Sequence, residues 1–168
     1  MTDIDWQAFF YIAPFSWQAI GTAILCGSLV GLERQMRGKP VGIRTSSLIT
    51  LGTYLFIVGA SSVMTDATDP SRIIGQVITG IGFLGAGVML ARDGIVVGVT
   101  SAATIWVLAS IGVAIGLGHL AVAMKLSFVV VGVLFGVDLL EDYFQSLTRG
   151  VHHRYKGWKQ SIRRGKQG

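Results

Sequence analysis

Residues 69–91 read DPSRIIGQVITGIGFLGAGVMLA, and the fold turns on this stretch. Asp69 is a good N-cap and Pro70 is tolerated at a first helical position, so a helix starts here. No charge occurs from Ile73 to Leu90, a run long enough to cross a bilayer. At about 100° per residue, Ile73, Ile74, Val77, Ile81, Leu84 and Val88 share one side. Gly75, Thr79, Gly82 and Ala86 form a small stripe, with Gln76, Gly80 and Gly87 beside it and Gly85 on its other edge. Such a helix would touch lipid along its bulky side and let neighbours approach closely elsewhere. The stretch predicts the central helix of a small membrane bundle, with Gly75, Gly80, Gly82, Gly85 and Gly87 as its helix-packing positions.

The composition agrees. Of the 168 residues 51% are hydrophobic, 14% are charged and 23 are glycine, a balance that favours an integral membrane protein because glycine is frequent in packed membrane helices. Cys26 is the single cysteine and lies in an apolar run, so an intrachain disulfide is excluded. The N-terminus is acidic at Asp3 and Asp5 where a signal peptide would be basic, and no cleavable leader is expected.

Working outward, the aromatics Trp6, Phe9, Phe10, Tyr11, Phe15 and Trp17 predict an interfacial segment leading into a first span at 16–32. Gly27 and Gly31 make a GxxxG packing face within it. A basic loop with Glu33, Arg34, Arg37, Lys39 and Arg44 follows, then a second span at 45–64, the glycine-rich third at 70–91, a turn at Arg92, Asp93 and Gly94, and spans at 98–117 and 119–140. The expectation is an all-α, polytopic bundle of five transmembrane helices. Residues 1–141 form its membrane domain and 142–168 a basic amphipathic tail. In that tail Phe144, Leu147, Val151, Tyr155, Trp158 and Ile162 recur at helical spacing among basic residues, as in a helix lying on an inner leaflet. So apolar a body points the tail to lipid, not to nucleic acid.

The first loop and the tail hold most of the Lys and Arg, so the positive-inside rule puts both in the cytoplasm and the N-terminus outside. There is also an internal echo: Val41, Gly42, Ile43, Arg44, Thr45, Ser46 against Val97, Gly98, Val99, Thr100, Ser101. It predicts two hairpins in parallel repeat, with Thr and Ser capping a helix start in each.

No enzyme constellation is present in the sequence. His119, His152 and His153 lack the spacing of a zinc site, no P-loop occurs, and Gly80, Gly82 and Gly85 sit within an apolar span where a dinucleotide motif would follow a strand. The polar residues that remain stand at helix ends. Glu33, Arg34, Arg44 and Thr45 flank the first loop, and Asp69, Arg72 and Gln76 begin the third helix. They serve either as caps, ion pairs and orientation signals, or as the lining of a route or ligand site at membrane depth. No span has an acid near its centre, which is poor provision for magnesium.

Four ordered blocks closely resemble the MgtC/SapB family of bacterial inner-membrane proteins. These are Gly31-Leu32-Glu33-Arg34-Gln35 with Gly42-Ile43-Arg44-Thr45; Asp69-Pro70-Ser71-Arg72-Ile73 with Gln76; Gly80 to Gly87; and Thr100-Ser101-Ala102-Ala103-Thr104-Ile105-Trp106. The resemblance implies a five-span domain and magnesium homeostasis or adaptation to low magnesium, and the missing constellations lead to no expected catalysis. It implies a regulator or an ion-handling protein, with a magnesium transporter or channel as one alternative. Another is an interaction module acting on a complex such as the F-type ATP synthase. Self-association would use Gly132 and Gly136. Val96-Val97-Gly98-Val99 stands where family members often carry an arginine, so no role is carried over for it. Longer members add a soluble C-terminal domain, and functions tied to it are not carried over either.

Overall fold

The computed structural model describes residues 10–64, 69–92 and 95–143. It divides into two units, Met1–Val131 and Gly132–Gly168. Among the described residues the chain is mostly helical: α1 (Trp17–Met36), α2 (Ile43–Ser61), α3 (Pro70–Gly87), a short hairpin of β1 (Leu90–Arg92) and β2 (Ile95–Val97), α4 (Val99–Gly116) and α5 (Leu120–Tyr143). The acidic residues before Phe10 and the tail helix expected beyond Tyr143 lie outside the described residues.

Local chemistry sets the ends. Ser16 caps α1 by accepting from the Ala19 amide at 3.1 Å, and Asp69 caps α3 by accepting from the Ser71 amide at 2.9 Å, with Pro70 at the first helical position. α4 stops at Gly118, whose φ of 85° lets the Gly118 and His119 amides fold back on the Ile115 and Ala114 carbonyls, each at 2.9 Å. α2 and α4 start differently from expectation. Gly42 and Gly98 occupy their N-cap positions and give no side-chain cap, while the Ser46 hydroxyl turns back to donate to the Val41 carbonyl at 2.9 Å.

Three helices among the described residues are long and apolar enough to cross a membrane: Ile43–Ser61, Val99–Gly116 and Leu120–Val137. That fits a membrane protein. α1 and α3 are of similar length and are not among these three, α1 carrying Glu33 and Arg34 and α3 carrying Arg72, Gln76 and five glycines.

The expected central helix is not central. Bulky side chains gain little by exchanging lipid tails for protein, so membrane helices associate where small residues let backbones close. That happens around α2. A Cβ on Gly27 or Gly31 of α1 would fall 2.6 Å from the Ser47 or Ile43 Cα, and one on Gly112 or Gly116 of α4 would fall 2.6 Å from the Thr50 carbonyl or the Ile57 side chain. α2 is thus gripped from both sides, with Ser46, Thr50 and Thr53 buried between its neighbours. Ala19, Ala23, Cys26, Tyr54, Ile111, Ile115 and Ala123 complete this core.

α3 lies at the edge of the unit, and only Gly85 on it is buried. There a Cβ would stand 3.7 Å from the Ala102 carbonyl of α4, whereas one on Gly75, Gly80, Gly82 or Gly87 would meet nothing within 4 Å. Ile73, Val77, Ile81 and Leu84, expected against lipid, instead line a groove facing α2. The helix also ends at Gly87, short of the expected 91. Residues 90–92 pair antiparallel with 95–97, Leu90 opposite Val97 and Arg92 opposite Ile95. The β-branched Ile95, Val96 and Val97 suit a strand, and Asp-Gly is a strong signal for the two-residue connection between them.

These contacts also give directions. Gly112 beside Thr50 and Gly116 beside Ile57 make α2 and α4 parallel, and Gly85, late in α3, beside Ala102, early in α4, makes α3 antiparallel to both.

Candidate functional site

Two places gather the polar residues singled out in the sequence. The first is the groove between α2 and α3, with a volume of about 830 Å³. Arg44 and Thr45 from the first turn of α2 and Arg72 and Gln76 from the first turns of α3 are all in its lining. Because the helices are antiparallel, Arg44 and Arg72 stand at opposite ends. Between them the walls are apolar, Leu48, Ile49 and Phe56 facing Ile73, Val77 and Leu84, and the backbone is bare at Gly52 and Gly80.

Asp69 is beside the Arg72 end, not in the lining. Exposed at the N-cap, it accepts from the Ser71 amide at 2.9 Å and the Ser71 hydroxyl at 2.8 Å. These two bonds favour the ionised form and hold its carboxyl below the usual carboxylate range.

The second place is the end of α1. The helix continues to Met36, so Glu33 and Arg34, expected in the loop, sit in its last turns and are 7% and 4% exposed. Arg34 reaches across the unit, donating from Nη2 to the Ser101 hydroxyl at 3.1 Å. Glu33 stands between two guanidiniums, with Arg37 Nε 2.9 Å from Oε1 and Arg34 Nη1 3.9 Å from Oε2. The pairing is one of charge: neither Glu33 oxygen, nor Arg34 Nε, has a partner in hydrogen-bond geometry. Beside this cluster Val41 is held at a φ of 69°, a left-handed conformation costly for a β-branched residue, with its carbonyl taken by Ser46.

Ser101 and Arg37 belong to this cluster and were not singled out. Ser101 had a signal, since it closes the second copy of the repeated motif, where Ser46, closing the first, is also buried.

Neither place suits a magnesium ion, which prefers carboxylates and retained waters. The groove ends in guanidiniums, and the Glu33 carboxylate is shared by two of them. Among the described residues no three His, Cys, Asp or Glu converge.

A family model described as the MgtC family matches residues 20–143. Among curated proteins the chain is 48% identical over 113 residues to YhiD of Escherichia coli (strain K12), whose name marks it as a candidate magnesium transporter; the match covers 63% of this chain and 52% of that protein. It is 43% identical over 108 residues to MgtC of Salmonella typhimurium (strain LT2), covering 64% and 46%. With MgtC of Brucella abortus (strain 2308) it shares 41% over 133 residues, covering 77% and 55%. The chain thus spans about half the length of these relatives. No solved structure matches it.

Proposed function

Because this chain belongs to the MgtC family, we propose that it serves magnesium homeostasis from a bacterial inner membrane as a regulator, neither an enzyme nor a conduit for the ion. The observation that carries the reading is the pair of guanidiniums, Arg44 and Arg72, ending the α2/α3 groove. A divalent cation entering from either side would first meet the positive charge of an exposed guanidinium. The magnesium link itself rests on the relatives, whose names include a candidate magnesium transporter. The proposed orientation, N-terminus outside and C-terminus cytoplasmic, rests on the distribution of Lys and Arg.

One observation favours action through another membrane complex, such as the F-type ATP synthase. Among the described residues outside the helix's own backbone, a Cβ on Gly75, Gly82 or Gly87 would meet nothing within 4 Å, which leaves backbone free for close approach by a foreign helix.

The test has two arms. A deletion strain without a paralogue should grow poorly in limiting magnesium, and purified protein in vesicles should pass no magnesium. Flux that falls in Arg72→Ala or Gln76→Ala would replace the regulator with a transporter, and normal growth of the deletion strain would remove the magnesium role.

A further inference from the structure

The groove between α2 and α3 is a built feature with an asymmetry of charge. Its long axis follows α2, whose 19 residues extend about 28 Å at ~1.5 Å per residue, close to the ~30 Å hydrocarbon thickness of a bilayer. Its walls are apolar and its floor includes the two bare glycines Gly52 and Gly80, where a Cβ would meet nothing within 4 Å. At one end Arg44 stands with Thr45, and the exposed Lys39 belongs to the loop leading into α2. At the other end Arg72 shares its helix start with the exposed carboxylate of Asp69. An anion is therefore favoured at the Arg44 end over the Arg72 end, where Asp69 offsets part of the positive charge.

We propose that this groove holds an anionic diacyl phospholipid, its phosphate at Arg44 and its acyl chains running past Leu48 and Leu84 to Gly52 and Gly80. A guanidinium matches phosphate oxygens bidentately. Half the hydrocarbon thickness, about 15 Å, corresponds to roughly ten residues of α2, which carries chains entering at Arg44 to the two glycines and no further. Gln76, in the Arg72 half, is left outside the lipid's reach.

The experiment uses the full chain purified and delipidated in detergent, mixed with palmitoyl-oleoyl phosphatidylglycerol or with phosphatidylcholine of the same chains, and reads bound lipid by native mass spectrometry. Phosphatidylglycerol should be retained about fivefold or more over phosphatidylcholine, and inorganic phosphate should not displace it. Arg44→Gln should bring retention to the phosphatidylcholine level, while Arg72→Gln should leave the preference intact. Gly52→Leu with Gly80→Leu should fill the groove and lower retention of both lipids; the open space at both positions lets that variant fold, and its helical circular dichroism should match the parent. Equal retention of the two lipids, displacement by free phosphate, an unchanged preference in Arg44→Gln, or undiminished binding in the filled variant would each overturn the proposal. So would loss of a copurifying protein from the filled variant with no lipid preference in the parent.

Discussion

Arg34 Nη2 donates to the Ser101 hydroxyl at 3.1 Å, joining the end of α1 to the first turn of α4 across 67 residues of sequence. The Arg34 side chain is 5% exposed and lies beside a Glu33 side chain that is 6% exposed. Removing Arg34 takes away one of the two cations beside the buried Glu33 carboxylate, which Arg37 still meets at 2.9 Å, together with the bond to Ser101, so the cost is part of the ~3–5 kcal/mol of a broken buried pair added to the ~1.5–3 kcal/mol of a hydrogen bond to a charged group. Arg34→Leu should therefore lower the thermal midpoint in detergent more than Ser101→Ala. Glu33→Gln in the Arg34→Leu background should recover part of the loss. Equal effects from the two single variants would show that the charge pairing is immaterial.

Gly31→Leu and Gly112→Leu should prevent the native packing of α2, because the first added carbon already falls 2.6 Å from backbone and no rotamer change removes that contact. Gly82→Leu should fold, since a Cβ there meets nothing within 4 Å. Folded yield by size-exclusion chromatography separates the two outcomes. A Gly82→Leu variant that folds but loses a copurifying partner would locate that partner's contact on α3.

Tyr54 is 2% exposed, accepts from the Ser16 amide at 3.0 Å and meets Phe15 edge-on at 6.3 Å between ring centroids. Tyr54→Phe keeps the ring and strands the amide, and should cost about 1 kcal/mol. Ser16→Ala removes the cap oxygen but keeps the amide, so its effect should add to that of Tyr54→Phe in a thermal-melt cycle. Strong non-additivity would mean that the cap and the tyrosine act as one unit.

Acid should weaken the start of α3. The Ser71 bonds hold the Asp69 carboxyl below the usual carboxylate range, so the stability it lends is fully present above the unfolded value of about 3.9 and is lost as pH falls through the lower folded value. Asp69→Asn keeps a capping oxygen without the charge and should flatten that acid limb. Thermal midpoints of parent and variant across pH 2 to 6 check this, and parallel curves would assign the limb to other groups.

Much of the helical frame could be read from residues alone because caps and breakers are local. Asp69-Pro70 fixed one helix start, and Gly27 with Gly31 marked a packing face that the structure places against α2. The role of α3 could not be read the same way. A stripe of small residues looks identical in sequence whether another helix covers it or nothing does, and Gly112 with Gly116, at the same spacing, are what close α4 on α2. The hairpin was foreshadowed by Asp93-Gly94 among β-branched residues and obscured by the apolar run before it. In the groove, Arg44, Thr45, Arg72 and Gln76 were all singled out as polar helix ends, but their convergence depends on α2 and α3 being antiparallel neighbours. The bond from Arg34 to Ser101 depends on tertiary placement and had no local signature beyond the repeated motif.

Gly98 sits at a φ of 92° before α4, and any side chain there would collide with the Val88 carbonyl. Its glycine is compulsory, while those at 75, 82 and 87 are permitted. In a saturation library sorted for folded protein, codon 98 should return a single amino acid and the other three a broad spread. Sorting the same library instead for growth in scarce magnesium would then narrow only those α3 positions whose bare backbone is touched by something other than this chain.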